Sequence, residues 1–209
     1  AEKQPMRSII DENREIIAEL EELFVIRYDT YAIQQDNGRY VRIRSALTDG
    51  VLKHHLSGEL TVGVYQLDPS NNLVKWLCFD IDPERTKNVW TTAKEIYKES
   101  SKLFKGESLI LEASRYPDPS AHIWACFYPI LAQNAKEIGE RVIGKTGAKE
   151  VELFPKQTDV GGRFGNMMKL PLGLHRKEKK WSLILNPESL EPLTSKALLE
   201  VRPATLSRF

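Results

Sequence analysis

Two acidic residues with one residue between them, Asp80 and Asp82, end an apolar run that begins at Leu73. Such a run is typical of a buried β-strand, in which alternate side chains share a face, so both carboxylates are expected to point the same way. Two adjacent negative charges at the end of an apolar strand are unfavourable unless a cation lies between them. Carboxylate oxygens suit Mg²⁺ or Mn²⁺, and such ions usually accompany phosphates. The alternative is a solvated strand end that begins a turn.

A second polar pair with the same spacing, Ser120 and His122, begins an apolar run that continues to Tyr128. The run is typical of a central strand, and the period of two again places both polar side chains on one face. A lone histidine in such a strand is usually a core residue whose hydrogen bonds are satisfied. This histidine closely follows a loop, where ligands approach proteins, so ligand binding is the second interpretation.

A glycine-rich loop, residues 155–166, carries the third polar pattern. It contains Asp159, which is followed at three-residue steps by Arg163, Asn166 and Lys169. Glycines allow a backbone to approach phosphate oxygens closely, and the cationic side chains supply charge. The pattern therefore favours a phosphate-binding segment.

Positive charge is concentrated on one predicted strand and in the turn of residues 174–180. The candidate residues are Arg42, Arg44, His175, Arg176 and Lys177. Contact with a nucleic-acid backbone is one interpretation of these groups. A solvated surface is the other, and the sequence leaves both open.

Composition describes a soluble globular protein. The 209 residues are 41% hydrophobic and 28% charged, and the net charge of +1 gives no overall basicity that would indicate nucleic acid. Cys78 and Cys126 lie in apolar runs, so they are expected to be core thiols in a reducing compartment. The sequence has no apolar run of membrane-spanning length and no signal peptide, so the expected location is the cytoplasm, with no membrane partner.

Periodicity places these candidates among alternating helices and strands. A helix is expected from Ser8 or Asp11 to Phe24, and Asp36-Asn37-Gly38 predicts the turn of a hairpin. The strands around Val62 and Val74 are expected to be antiparallel neighbours. Further helices are predicted at residues 51–56, 86–104 and 131–145, and further strands at 108–112, 120–128, 150–154, 167–172 and 181–185.

Two adjacent histidines, His54 and His55, lie on the short helix of residues 51–56. Adjacent helical side chains point about 100° apart, so the two rings cannot chelate one metal ion. They are expected to be a surface residue and a core residue.

Three motifs follow one another in a fixed order: Phe79-Asp80-Ile81-Asp82, then Ser120-Ala121-His122, then Asp159 with Arg163, Asn166 and Lys169. Together they resemble the catalytic signature of the archaeo-eukaryotic primase superfamily, the primase-polymerases. The flanking segments, 153–157, 165–171 and 174–177, are most similar to CRISPR-associated primase-polymerases and to the primase domains of TOTE-type conflict systems. The resemblance covers about residues 47–185.

The resemblance implies an α+β fold. An RRM-like primase catalytic core would be joined to a smaller N-terminal α/β module, with the active site in the cleft between them. The expected division is an N-terminal helix at residues 1–24 and a catalytic domain at 25–209. That domain would comprise a module at about 25–70, the core at about 71–190 and a peripheral C-terminal tail at 191–209.

The resemblance also implies template-directed nucleotidyl transfer with two ions of Mg²⁺ or Mn²⁺. Asp80, Asp82 and Asp159 correspond to the metal-binding acids. Related sequences often place the third acid directly after the Phe-Pro-x-Gln run, where this chain has Thr158, so the match to Asp159 requires a shift of one residue. Nucleotide contacts are assigned to Ser120, His122, Arg163, Asn166 and Lys169. The implied partners are a single-stranded DNA template, a primer strand and nucleoside triphosphates, in a larger multidomain chain or system.

Two other functions are compatible with parts of the pattern. A degenerate primase-like domain would bind nucleotides or single-stranded nucleic acid without polymerising them. A glycosyltransferase with an Asp-x-Asp motif would also use Mn²⁺, but it would bind a sugar nucleotide and would need neither His122 nor the loop of Asp159.

Overall fold

The computed structural model describes residues 6–206 and their side chains from residue 13 onward. The side chains of Ser8 and Asp11, predicted as helix caps, lie outside the described residues, as do residues 207–209 of the predicted tail. The α-helices in the described part are α1 (Met6–Phe24), α2 (Asp49–Ser57), α3 (Val89–Ser100) and α4 (Ala132–Thr146), with 3₁₀ segments at Gly106–Ser108 and Ser195–Glu200. The strands are β1 (Tyr31–Gln34), β2 (Tyr40–Ile43), β3 (Val62–Tyr65), β4 (Leu73–Ile81), β5 (Leu109–Ala113), β6 (Ala121–Leu131), β7 (Glu152–Phe154), β8 (Met167–Lys169), β9 (Leu174–His175), β10 (Lys180–Trp181) and β11 (Leu183–Leu185).

These strands form two antiparallel sheets and one short hairpin. The first sheet has the order β2-β1-β3-β8, the second has the order β11-β5-β6-β4-β7, and β9 pairs with β10. Strand β8 comes from the second half of the chain but pairs with β3, so the chain returns to the first sheet. The mixed α/β architecture with antiparallel sheets confirms the predicted fold class.

The prediction that the strands of Val62 and Val74 are neighbours is wrong, because β3 and β4 lie in different sheets. Strand β4 is buried along most of its nine residues and is covered on both edges, by β6 and β7. The chain turns sharply between the two strands, where the Asp68 amide donates to the carbonyl of Leu73 (3.0 Å). A tight turn therefore does not imply a hairpin here, since the apolar pattern of β4 requires two strand neighbours.

The second sheet separates two hydrophobic cores. Residues such as Phe79 and Ile123 face α3 and α4, whereas Trp76 and Trp124 face α1 and the first sheet. The indole rings of Trp76 and Trp124 meet edge to face, with centroids 4.8 Å apart. The two cysteines are buried and unpaired on the tryptophan side, as predicted for core thiols. None of the helices in the described part of the chain is both long and apolar enough to cross a bilayer.

The segment predicted as a peripheral tail packs on the domain as far as it is described. Leu198 is fully buried in the core that contains α1. Further along, the Ala204 amide donates to the carbonyl of Cys126 (2.9 Å), and the carbonyl of Ala204 accepts from the Tyr128 amide (3.0 Å). These backbone bonds attach the segment to the edge of β6.

His54 and His55 are a surface and a core residue, which confirms the prediction for this pair. His54 is exposed, with its Nδ1 2.6 Å from Oε2 of Glu59, whereas His55 is fully buried. Nδ1 of His55 accepts from the Val62 amide (2.9 Å), and Nε2 lies 3.0 Å from the carbonyl of Pro171, to which it donates. The neutral ring therefore connects α2 to β3 and to the segment after β8.

His55 is expected to make the protein less stable as the pH falls. Burial lowers the pKa of His55 to about 4 from 6.5, although its hydrogen bond to Pro171 opposes the shift. The unfolded chain therefore takes up a proton below about pH 6.5 that the folded chain does not. The contribution of His55 to the free energy of unfolding is fully present above this pH. It falls by as much as about 3 kcal/mol as the pH approaches the pKa of His55 in the folded protein. Urea unfolding across this range measures the loss.

Two variants isolate this contribution. His55→Gln removes the titrating group, so its unfolding free energy should depend less on pH while being lower near neutrality. His54→Gln, the exposed neighbour, should keep nearly the wild-type pH dependence. An unchanged pH dependence in His55→Gln would contradict the assignment.

Candidate active site

Four side chains form a continuous polar row across the second sheet. Antiparallel pairing sets Glu112 of β5 opposite His122 of β6, His122 opposite Asp80 of β4, and Asp80 opposite Glu152 of β7. Residues paired in register share a face of the sheet. The adjacent row on this face is apolar and includes Cys78, so the polar row borders the core that contains Trp76 and Trp124.

A cleft of about 340 Å³ lies over Asp80, His122 and Glu152 of the polar row, between the two sheets. Its lining from the second sheet and the adjoining loops consists of Asp80, Asp82, Ser114, Arg115, Ser120, His122, Glu152 and Phe154. Its lining from the first sheet and the β9 hairpin consists of Gln34, Gly38, Tyr40, Met167, Met168, Lys169 and His175. The cleft therefore brings together the first two predicted motifs and Lys169 of the third.

The acidic end of the cleft comprises Asp80, Asp82 and Glu152. The Arg85 guanidinium bridges two of them: its Nη2 lies 3.8 Å from Oδ2 of Asp80 and forms a closer ion pair with Glu152. Oδ1 of Asp82 accepts from the Glu84 amide (2.8 Å), which orients this carboxylate at the start of the turn after β4. A positive group thus already lies between two acids of this end.

Asp80 is ionised in spite of its burial. Desolvation alone would raise the pKa of Asp80, but the hydrogen bond and charge of His122, together with the charge of Arg85, hold it below its ordinary value. The imidazole Nε2 of His122 lies 3.2 Å from Oδ1 of Asp80. The carboxylate therefore remains available as an anionic ligand at neutral pH.

His122 is charged because it lies between two carboxylates. Its Nδ1 is 2.8 Å from Oε1 of Glu112, and its Nε2 faces Asp80. Burial would lower the pKa of His122, but the charges and hydrogen bonds of Glu112 and Asp80 raise it to about 9. In turn, burial would raise the pKa of Glu112, but His122 and Lys169 lower it to about 2. At neutral pH, both ring nitrogens of His122 are therefore donors.

The cationic end of the cleft comprises Arg115, His122 and Lys169. Lys169 is only 6% exposed, and its Nζ donates to the carbonyl of Ser114 (3.1 Å). Burial lowers the pKa of Lys169, with the charge of Glu112 opposing the shift. The hydroxyl of Ser120 is hydrogen-bonded to that of Ser114. Three cationic side chains and two hydroxyl groups thus surround one end of a polar cleft.

The other residues predicted in the third motif do not line the cleft. Asp159 is exposed, and its Oδ1 accepts from the Gly161 amide of its own loop (2.7 Å). Arg163 is exposed, and its carbonyl accepts from Nη1 of Arg27 (3.0 Å). The backbone amide of Asn166 donates to Oε1 of Gln157 (3.0 Å). The sites assigned to these residues stay predictions.

The residues predicted to contact nucleic acid lie outside the acidic end of the cleft. They differ in exposure and in whether other residues of the fold already hold their side chains. Arg42 and Arg44 are exposed, and the Arg42 guanidinium lies 3.7 Å from the ring centroid of Phe164. Arg176 is held in the fold by an ion pair with Asp36 (2.9 Å) and by other hydrogen bonds. Lys177 is exposed, and His175 is half-buried at the cleft.

The sequence did not single out Glu112, Glu152 or Arg115. Glu112 follows the apolar residues 109–111 near the end of β5, just as Asp80 follows an apolar run near the end of β4. This shared pattern is a sequence signal from which Glu112 could be identified as a candidate site residue. Glu152 and Phe154 share a face of β7, but only the pairing with β4 shows what lies beside that face. Within the part of the chain that the structure describes, no three Asp, Glu, His or Cys side chains are grouped closely enough to hold a metal ion as they stand.

Comparison with known proteins connects this site to a family. The model of the TOTE conflict system archaeo-eukaryotic primase domain matches residues 41–205. The structure is similar to that of the polymerase domain from Mycobacterium tuberculosis Ligase D in complex with DNA, with a TM-score of 0.54 and 13% identity, over 92% of this chain and 86% of that one. At this identity the likeness concerns the fold alone. No curated protein matches the chain. The family match covers most of the chain and confirms the predicted resemblance: this protein belongs to the archaeo-eukaryotic primase domains of TOTE conflict systems.

Proposed function

We propose that this chain is a primase-polymerase that makes and extends nucleic-acid primers opposite a single-stranded DNA template. The observation that supports this function is the division of one cleft into an acidic end and a cationic end. A nucleoside triphosphate requires both, because its divalent ions need carboxylate oxygens and its phosphates need donors and positive charge. A shared cleft allows one substrate to contact the two ends at once.

The acidic end fits divalent ions by its chemistry. Carboxylate oxygens are hard ligands that suit Mg²⁺ and Mn²⁺, and the Arg85 bridge between Asp80 and Glu152 supports a requirement for positive charge there. We assign two ions to Asp80, Asp82 and a third carboxylate. When bound, the ions would lower the pKa of the attacking hydroxyl and neutralise the leaving pyrophosphate.

Two carboxylates are candidates for the third ligand. Glu152 lines the cleft and is paired in register with Asp80. Asp159, which the family motif indicates, is exposed and bonded within its own loop. Proximity therefore favours Glu152, since Asp159 would need its loop to move toward Asp80.

The cationic end would bind the triphosphate. His122, Lys169 and the hydroxyl of Ser120 would donate to phosphate oxygens, and Arg115 would add the forked donors of a guanidinium. Arg163 and Asn166 are proposed to reach the phosphates from the glycine-rich loop. This part of the proposal requires the loop to turn toward the cleft, a movement that would also carry Asp159 toward Asp80, whereas Glu152 and Lys169 line the cleft without it.

The reaction exchanges one phosphorus–oxygen bond for another. The 3′-hydroxyl of the primer would lose its proton to water, and its oxygen would bond to the α-phosphorus. The bond from that phosphorus to the bridging oxygen would break, and pyrophosphate would leave with the electron pair. Donors already held in place lower the barrier because they need not reorganise as charge shifts toward the pyrophosphate. His122, Lys169 and Arg115 would supply such donors. For primer initiation, a second nucleotide would supply the hydroxyl.

The decisive experiment combines primer extension with synthesis of a dinucleotide from free nucleotides. The protein should form product from ribo- or deoxynucleoside triphosphates with Mg²⁺ or Mn²⁺ and none with a chelator or with nucleoside diphosphates. Triphosphate binding in calorimetry without any product would instead support a nucleotide-binding domain that does not polymerise. Preferential binding of a sugar nucleotide would contradict the proposal.

The template and primer are proposed to contact the basic turn, residues 175–180, and the exposed face of β2. Arg176 ties the turn to the β1–β2 hairpin, because its amide donates to Gln34 (2.9 Å) and its guanidinium pairs with Asp36. The turn therefore lies beside the strand that carries Arg42. Since Arg176 already has these partners, the exposed lysines of the turn are better candidates for phosphate contacts.

Replacing Lys177 and Lys179 by glutamine is expected to weaken binding of single-stranded DNA. Each lost phosphate contact should also make the plot of log affinity against log salt concentration shallower by about 0.7. Fluorescence anisotropy at several salt concentrations measures both effects. Lys94→Gln/Lys98→Gln, which removes the same charge from the exposed side of α3, should leave the slope unchanged. Equal slopes in both variants would contradict a role for the basic turn.

A further inference from the structure

Glu112 is a fully buried carboxylate that none of the proposed chemistry uses. It is 0% exposed on β5, beside the strand that carries His122. A buried charge is unfavourable unless hydrogen bonds and an opposite charge compensate it, and an apolar residue of similar size often serves stability as well. The position of this carboxylate therefore indicates a task other than packing.

Both oxygens of the Glu112 carboxylate are held by donors, one oxygen by donors from β6 and the other by the residue between β10 and β11. Oε1 accepts from Nδ1 of His122 (2.8 Å) and from Nε1 of Trp124 (2.9 Å), and Oε2 accepts from the hydroxyl of Ser182. The Ser182 hydroxyl in turn accepts from the Leu172 amide (3.0 Å). The carboxylate cannot rotate without breaking several of these bonds, so its direction is fixed by the surrounding core.

A fixed carboxylate fixes the imidazole that donates to it. An ionised carboxylate only accepts hydrogen bonds, so Nδ1 of His122 carries a proton and points away from the cleft. The ring is also packed edge to face against Trp124, at 89° and 5.9 Å. Nε2 is then the nitrogen that faces Asp80 and the cleft, 3.2 Å from Oδ1.

We propose that Glu112 is a positioning residue for His122. It holds the ring so that the Nε2 proton is presented to a phosphate oxygen of the nucleoside triphosphate in the cleft. This inference rests on the proposed function, because it assumes that the cleft binds triphosphates. Glu112 touches no substrate itself and acts only through His122.

A simpler role for Glu112 would be to balance the buried charge of Lys169. Its charge does act on Lys169, whose Nζ is bonded to Ser114. In that case, loss of Glu112 would weaken triphosphate binding whether or not His122 is present. The two roles therefore differ in whether the effects of Glu112 and His122 are independent.

A double-mutant cycle separates the two roles. ATP and dATP, each with Ca²⁺ and without template, are titrated by calorimetry into wild type, Glu112→Gln, His122→Gln and the double variant. Glu112→Gln keeps the shape of the side chain but removes its charge. Each single variant should lose roughly tenfold in triphosphate affinity, the lower end of the loss known for residues that orient a metal-binding histidine. The double variant should lose no more than His122→Gln.

Additive losses, or unchanged affinity in Glu112→Gln, would overturn the inference while leaving the proposed function intact. Absence of triphosphate binding by the wild type would overturn the proposed function, and the inference with it.

If Glu112→Gln does not fold, as judged by near-ultraviolet circular dichroism, Ser182→Ala replaces it in the cycle, because it frees Oε2 without touching His122. It should lose a few-fold in affinity, and only when His122 is present. Ser108→Ala, which removes a buried hydroxyl bonded to Arg202 instead, should bind as wild type.

Discussion

Replacing Asp80 and Asp82 together by asparagine is expected to reduce primer extension at least about a thousandfold, because several kilocalories per mole of charge stabilisation are lost with the ions. Asparagine has nearly the same shape as aspartate, so the cleft keeps its form while its acidic end loses two negative charges. The initial rate of extension at saturating Mn²⁺ and triphosphate measures the loss.

The control for this double variant is Asp49→Asn, which neutralises an exposed aspartate in the first turn of α2. It should extend primers at the wild-type rate. The double variant must also be shown to fold, because Asp80 is the partner of His122 and Arg85. A folded double variant with wild-type activity would exclude Asp80 and Asp82 from catalysis.

The second large effect is expected from Glu152. Glu152→Gln should reduce primer extension about a hundredfold or more and weaken Mn²⁺ binding, because Glu152 is the acid nearest in register to Asp80. Asp159→Asn should change the rate of primer extension and the affinity for Mn²⁺ by no more than about twofold, because Asp159 is an exposed acid outside the cleft. Mn²⁺ binding followed by electron paramagnetic resonance gives a readout that does not depend on turnover.

Two further variants make this comparison specific. Glu150→Gln neutralises an exposed acid two residues earlier in the chain and should behave as wild type. Arg85→Gln removes the guanidinium that bridges Asp80 and Glu152 and should strengthen Mn²⁺ binding, because the ion no longer competes with it. If Asp159→Asn were inactive and Glu152→Gln active, the loop acid indicated by the family motif would be the third ligand, and the loop would have to move toward Asp80.

Local pattern was sufficient to predict which side chains share a face at the end of β4. Alternation over the last residues of β4 placed Phe79 and Ile81 in one core and turned Asp80 to the opposite side, as the structure confirms. Helical spacing likewise separated exposed His54 from buried His55. These predictions succeed because side-chain direction repeats every two residues in a strand and every 3.6 in a helix, whatever the element packs against. The order of the three motifs was sufficient for the family.

Which strand faces meet depends on the tertiary structure. Glu112, His122, Asp80 and Glu152 come from four strands, and they form one row because β5, β6, β4 and β7 are adjacent in this order and in register. A strand that is apolar on both sides does not reveal its neighbours, and for this reason β3 and β4 were wrongly paired.

The position of the Asp159 side chain could not be predicted for a related reason. It lies in a loop, where no periodicity relates the direction of a side chain to the core. An acidic pair, a Ser-x-His pair and a basic loop can be identified from the amino acids alone, together with the residues that each contains. The distances between them depend on contacts between residues far apart in the chain. Those contacts are set by how all the apolar faces can be buried together, which is a property of the whole fold.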